Sequence, residues 1–288
     1  MSERNVLVCG AGLMGHGIAQ VMAAAGHTVA LYEPDASRAE AGRERIAGNL
    51  DRAVAKAKLT QDERDAILGR VSVAQDLAEA ARSAELVVEA VFEDESVKQR
   101  LFAEIAKAAP QSAILASNTS SIAITGLAAA LPEERRANFV GMHFFSPVPV
   151  MPLIELIRGE ATSDATEAYV RQIASDLNKK VIVSADRPGF IVNRVLMPFL
   201  GESMRAYEEG LATAEDIDTG AKVGLNHPMG PLELADFIGL DVCLHIMEVL
   251  LDGFGEPHFA PPDVLRDLVE AGHLGQKTGR GFYTYPRV

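Results

Sequence analysis

The chain has 288 residues, 48% of them hydrophobic and 23% charged, enough for two modest domains with cores of their own and too apolar for a disordered chain. Forty acidic side chains against 27 basic ones leave a formal charge of −13, a field that repels polyanions and argues against a nucleic-acid partner. Only Cys9 and Cys243 carry thiols; they lie far apart and outside any Cys/His cluster, which points away from a disulfide framework or a metal site and toward a reducing cytoplasm.

Met1 to Asn5 is polar and too short for a signal peptide, and no later run approaches the ~20 apolar residues that span a bilayer. The first predicted element is a strand, Asn5–Cys9, followed at once by Gly10-Ala-Gly12-Leu13-Met14-Gly15 at the start of a helix. In that strand, turn and helix setting, Gly10 permits a tight turn, Gly12 lets the backbone approach a pyrophosphate, Gly15 lets helix and strand pack closely, and the helix N-terminus offers free amides. A glycine-rich turn without a ligand is the competing reading. The next predicted strand, Thr28–Tyr32, runs into Glu33, about 20 residues beyond the glycines, where a carboxylate accepts from both adenosine ribose hydroxyls and repels a 2′-phosphate. NAD is therefore expected over NADP, with Glu33 as a plain helix cap the alternative.

Asp35 to Gly69 is longer than one crossover requires and reads as a helical hairpin inserted in the sheet. Short β-branched runs then return at Glu85–Val91, Ala113–Ala116, Asn138–Met142, Leu153–Ile157 and Lys180–Val183, alternating with amphipathic segments. This is the pattern of an α/β domain, a largely parallel Rossmann-type sheet with helices on both faces. His143 follows one of these strands, on the side where open α/β sheets bind ligands. Pro147-Val-Pro149-Val-Met-Pro152 can return the chain so that Glu155 approaches the imidazole; a packed histidine and an exposed strand carboxylate are the plainer readings of the two. Beyond Ser184 strand signals cease. Pro188 is read as opening a helix that ends near Gly210 and is kinked at Pro198. Ala214–Val223, Pro231–Phe237, Asp241–Leu251 and Asp263–Ala271 read as further helices. The expected organisation is a dinucleotide-binding domain over 1–184 and a smaller all-helical C-terminal domain over 185–288.

Several motifs run in one order over nearly the whole chain. They are the glycine turn, Glu89-Ala-Val-Phe-Glu93 with Lys98, Ser117-Asn118-Thr-Ser120-Ser121, His143-Phe-Phe-Ser-Pro-Val-Pro, Pro188-Gly-Phe-Ile-Val-Asn193-Arg194, His227-Pro-Met-Gly-Pro-Leu-Glu and Gly275-Gln-Lys-Thr-Gly-Arg-Gly-Phe-Tyr. Together they resemble the L-3-hydroxyacyl-CoA dehydrogenase family. The resemblance implies an NAD-dependent oxidation of a short acyl-CoA at C3, with His143 as acid–base group and Glu155 orienting it. It also implies that Ser120 and Asn193 bind the substrate oxygen, and that Glu93, Lys98 and Asn118 line the nicotinamide and ribose end of the cofactor site.

As helix residues, Ser120 and Ser121 also suit an N-cap, Asn193 a backbone contact one turn into its helix, and Lys98 a solvated surface charge. Because Asn193 and His143 fall in different domains, the resemblance places the active site in a cleft that closure completes. The segment from Ser37 to Lys58 carries six basic and three acidic side chains. Arg38, Arg43 and Lys58 are accordingly expected to meet coenzyme A phosphates, unless they form a solvated helix face. Ser146 and Pro152 depart from the family pattern, where Asn and Lys are common, and keep a free 3-hydroxy acid open as substrate. A catalytically silent NAD(H)-binding protein is the reading from another class. A homodimer through the C-terminal domain is expected on resemblance, with Leu232, Leu234, Phe237, Ile238, Ile246 and Leu250 forming either an interface or a core.

Overall fold

The structure of the chain, a computed structural model, describes residues 3–286; Met1 and Ser2, which open the stretch read above for a signal peptide, lie outside them. Two compact units are present, Met1–Arg187 and Pro188–Val288. Among the described residues no helix is long and apolar enough to cross a membrane, and no three His, Cys, Asp or Glu side chains gather as a metal ion would require.

The first unit is built on an eight-stranded sheet. Its strands are β1 (Asn5–Cys9), β2 (Thr28–Tyr32), β3 (Val71–Ala74), β4 (Leu86–Glu89), β5 (Ile114–Ser117), β6 (Phe139–Phe144), β7 (Leu153–Arg158) and β8 (Lys180–Ala185). They lie in the order β3-β2-β1-β4-β5-β6-β7-β8. The first six are parallel, β7 pairs antiparallel with β6, and β8 runs parallel to β7. Every residue of β4, β5 and β6 is buried, as expected of strands covered on both faces. β3, Val-Ser-Val-Ala at the edge of the sheet, escapes the sequence reading because only Val71 is buried and no apolar run marks it.

α1 (Leu13–Ala24) follows the glycine turn, and the predicted hairpin is α2 (Ala36–Ala55) with α3 (Gln61–Gly69). Both hairpin helices are capped by side chains: Asp35 accepts from the amides of Ser37 and Arg38, and Thr60 and Glu63 form a reciprocal capping box. Ala39, Gly42, Ile46 and Leu50 form the buried stripe of α2, and Ile46 and Leu50 pack with Ile18, Met22 and Leu31 in the core.

At the other end of the strands His27 is fully buried, and neither of its ring nitrogens has a hydrogen-bond partner. Burial holds its imidazole below the ordinary 6.5, with Arg4 acting in the same direction and Asp176, Glu85 and Glu3 against it. The folded chain thus resists protonation there more than the unfolded chain does. Stability from this site is present above pH 6.5 and is lost as the pH falls from there through the folded value. We expect His27→Leu to flatten the acid side of the stability profile; urea midpoints that fall equally in both proteins on acidification would contradict this.

The second unit is helical: α9 (Val192–Glu208), α10 (Ala214–Thr219), α11 (Pro231–Ile238), α12 (Leu240–Phe254) and α13 (Asp263–Glu270), after α4 to α8 of the first unit (Leu77–Ala81, Glu95–Ala108, Ile124–Ala128, Glu133–Arg136, Asp164–Asp176). Pro188 does not open α9. Gly189 and Phe190 adopt left-handed φ angles of 73° and 51°, which no right-handed helix accommodates, so the helix starts at Val192 and continues through Pro198. Asn193 is accordingly its second residue rather than one turn in.

Two buried carboxylates tie the C-terminal segment down. Asp236 accepts from the amides of Phe282 and Tyr283 and the hydroxyl of Tyr285, and Asp218 from the amides of Leu232 and Glu233 and the hydroxyl of Tyr283. Leu232, Ile246 and Leu250 are core residues, Leu234 and Ile238 pack against that core, and Phe237 is half exposed.

Candidate active site

Because β1, β2, β4, β5 and β6 are parallel, the segments that follow them emerge along one edge of the sheet, and this edge carries the predicted groups. At the first of them, Gly10 has φ 104°, and a Cβ there would sit 2.4 Å from the Ala90 carbonyl oxygen. A Cβ on Gly15 would sit 1.8 Å from the Gly10 carbonyl oxygen, whereas one on Gly12 would meet nothing within 4 Å. The outer two glycines thus serve packing, and the middle one leaves open space over the backbone, as a pyrophosphate requires. The Glu33 carboxylate accepts from the Ala11 amide at 3.2 Å. Capping of α2 falls to Asp35, so the plainer reading of Glu33 fails. Leu13 is strongly exposed at the start of α1, and Met14 packs against the core.

Beyond β4 lies a network of three charges. Glu89 is fully buried and Lys98 1% exposed, which rules out a solvated lysine. The Lys98 ammonium donates to Glu89 Oε1 at 2.5 Å and pairs with Glu93 Oε2 at 3.1 Å. Ser117 Oγ and the Val91 amide also donate to Glu89, at 2.6 and 2.7 Å. Burial pushes the Glu89 carboxyl up, against the pull of Lys98, Ser117 and the Val91 amide. At Glu93 burial acts the same way, but Lys98, Thr119 and the Ser120 amide outweigh it and hold the carboxyl below its usual range. Glu93 Oε1 accepts from Thr119 Oγ1, the Ser120 amide, Ser121 Oγ and Ser120 Oγ at 2.5, 3.0, 3.0 and 3.5 Å. Neither serine caps α6; its first amides, Ile124 and Thr125, are held by the Asp186 carboxylate. Asn118 Oδ1 accepts from the Phe144 amide at 2.9 Å, tying the loop after β5 to the end of β6.

His143, second to last in β6, stands directly opposite Glu155 of β7 in the antiparallel register. Its Nδ1 lies 3.1 Å from Glu155 Oε2, with His143 7% exposed and Glu155 fully buried. The pairing depends on where the intervening loop returns the chain. Lys179 Nζ donates to the carbonyls of Val148 and Met151 at 2.7 and 2.6 Å, and the Lys180 amide donates to the Pro152 carbonyl at 2.7 Å. Burial pushes the Lys179 ammonium down. Ser146 and Pro152 are exposed on this loop. A carboxylate at Nδ1 favours the tautomer that carries its proton there, which makes Nε2 the basic nitrogen. Asn193, in the second unit, is 8% exposed.

A cleft of about 500 Å³ lies between α1 and α2, lined by His16, Glu44, Arg45, Asn49 and Arg52 among others. Of the basic residues singled out in the sequence, Arg43 is engaged with the Val71 carbonyl at 3.1 Å, and Arg38 and Lys58 are exposed elsewhere on the hairpin. Arg45 and Arg52 are the cations that line the cleft.

Sequence reasoning passed over Glu89, Ser117, Thr119 and Asp186 as site residues. The available signal was Glu89 itself, an acid closing the otherwise apolar strand Leu-Val-Val-Glu; buried at that place, it needs a cation.

Residues 5–187 match the family model of the 3-hydroxyacyl-CoA dehydrogenase NAD binding domain, and residues 189–285 that of the 3-hydroxyacyl-CoA dehydrogenase C-terminal domain. The chain is 48% identical over 284 residues to the 3-hydroxybutyryl-CoA dehydrogenase of Mycobacterium tuberculosis, with 98% of each covered. To the probable 3-hydroxybutyryl-CoA dehydrogenase of Bacillus subtilis it is 46% identical, covering 99% of this chain and 98% of that one. The crystal structure of (S)-3-hydroxybutyryl-CoA dehydrogenase from Ralstonia eutropha superposes with a TM-score of 0.95 at 44% identity, over 99% of this chain and 100% of that one.

Proposed function

The chain belongs to the 3-hydroxyacyl-CoA dehydrogenase family, and from that premise we propose that it interconverts a short-chain L-3-hydroxyacyl-CoA, such as 3-hydroxybutyryl-CoA, and its 3-ketoacyl-CoA. The observation that carries this reading is the buried imidazole–carboxylate pair, 3.1 Å apart, on the sheet edge that also carries the glycine turn and Glu33. The open backbone over Gly12 and the carboxylate at Ala11 fit NAD. NAD supplies the hydride acceptor for C3 of the alcohol. His143 takes the 3-hydroxyl proton on Nε2 as the ketone forms and returns it in the reduction direction. Glu155 holds Nδ1 and stabilises the imidazolium. Ser120 donates to the substrate oxygen, and Glu93, Lys98 and Asn118 line the nicotinamide and ribose end of the cofactor site. Asn193 carries the same assignment as Ser120, on its sequence motif alone.

Arg45 and Arg52 offer the coenzyme A phosphates a basic wall. Val195, Leu211, Val223, Leu225 and Phe237 are exposed apolar residues of the second unit, and we assign them to a homodimer interface; a monomer in sedimentation equilibrium at micromolar concentration would remove that assignment.

The experiment is a spectrophotometric screen of 3-ketoacyl-CoAs of graded length, acetoacetyl-pantetheine and free acetoacetate, each with NADH and NADPH. We expect turnover of short CoA esters with NADH. Charge reversal at Arg45 and Arg52 should raise KM for acetoacetyl-CoA far more than for the pantetheine ester. Turnover of the free acid alone would favour the hydroxy-acid alternative, and NADH binding without any turnover a silent protein.

A further inference from the structure

Glu89 is the most deeply buried of the three charges near the proposed nicotinamide end. It belongs to a strand whose four residues are all buried, whereas Glu93 and Ser120 lie on the segments that follow β4 and β5. Three donors hold its carboxylate: the ammonium of Lys98, the hydroxyl of Ser117 on the neighbouring strand, and the amide of Val91. Lys98, itself 1% exposed, bridges from there to Glu93, and the other oxygen of Glu93 holds the Ser120 amide and the hydroxyls of Thr119, Ser120 and Ser121. The path from sheet interior to substrate-binding loop is therefore continuous: Glu89, Lys98, Glu93, Ser120.

We propose that Glu89 is a positioning residue for the dehydrogenase reaction, which through Lys98 and Glu93 refers the Ser120 loop to the rigid sheet. The proposal rests on the reading above, in which Glu93, Lys98 and Ser120 meet cofactor and substrate. Its physical basis is charge balance. The buried ammonium stands between two carboxylates, and when the inner one is neutralised only Glu93 remains to balance it. Glu93 and Lys98 then draw together, and the four donors on the far oxygen of Glu93 shift with it. Displacements of this kind cost turnover even when the reacting groups themselves are intact. A merely structural Glu89 would affect melting and leave the kinetics of the folded protein alone.

The test compares Glu89→Gln, Glu89→Gln/Lys98→Met and wild type by thermal melting, by NADH titration, and by kcat at saturating NADH and acetoacetyl-CoA. Glu89→Gln is expected to lose on the order of tenfold or more in kcat at saturation. The double variant, freed of the uncompensated ammonium, is expected to recover melting temperature but not kcat. Should Glu89→Gln not fold, Ser117→Ala removes a single donor from the same carboxylate and is expected to lower kcat severalfold. A saturated kcat within twofold of wild type in whichever of these single variants folds would overturn the proposal, as would recovery of kcat in the double variant. Failure of the wild-type protein to turn over any ketoacyl-CoA is a separate result, and it would remove the functional reading itself.

Discussion

His143→Gln is expected to lose on the order of 10³-fold in kcat while its affinity for NADH changes little. Glutamine is close in length to histidine and still offers a donor to Glu155, so the buried carboxylate keeps a partner and the strand pairing of β6 with β7 survives. What disappears is a nitrogen able to take the alcohol proton. Steady-state turnover with acetoacetyl-CoA alongside an NADH fluorescence titration separates the two effects. A variant that turns over within tenfold of wild type would show that the proton goes elsewhere.

Gly15→Ala is expected to damage the cofactor site as severely by another route. The added methyl would overlap the Gly10 carbonyl, 1.8 Å from its oxygen and 2.7 Å from its carbon, and both are backbone atoms that cannot swing aside. α1 must move off the turn, at a cost of about 3 kcal/mol, and the amides at its N-terminus move with it. Urea denaturation should report the loss of stability and titration a weaker NADH affinity. Gly12→Ala meets no such overlap and is the control: its stability should stay near wild type while pyrophosphate approach is hindered. Equal stabilities for all three proteins would contradict the division of roles among the glycines.

The features most legible in the sequence were those whose signal is local. Asn5–Cys9 and Thr28–Tyr32 were read with the bounds the structure gives them, because a β-branched run stopped by glycine or an acid is unambiguous over five residues. The hairpin was legible from its length and composition. β3 was not, since at the edge of the sheet it buries a single residue and carries no apolar run like Ala113–Ala116. The start of α9 was misplaced because proline alone signals a helix entry, and the left-handed turn at Gly189 and Phe190 depends on how the chain packs there.

Within the site, the likeness to a known family brought Glu93, Lys98 and Asn118 to notice, but it did not reveal what each touches. That Lys98 is buried between two acids, or that Arg43 is occupied by the Val71 carbonyl while Arg45 lines a cleft, is a matter of helix rotation and tertiary contact. The antiparallel return of β7, which sets Glu155 opposite His143, was anticipated only as a possibility of the proline-rich loop; the exact register depends on tertiary bonds such as those of Lys179 to Val148 and Met151.

The proposed acid–base unit is made of two side chains, and a double-variant comparison interrogates it directly. Turnover is measured for His143→Gln, Glu155→Gln and the combined protein under identical saturating conditions. If the carboxylate acts only through the imidazole, neutralising it in a chain that already lacks His143 costs almost nothing further. If the two losses multiply instead, Glu155 has work of its own and the pair is not the catalytic unit.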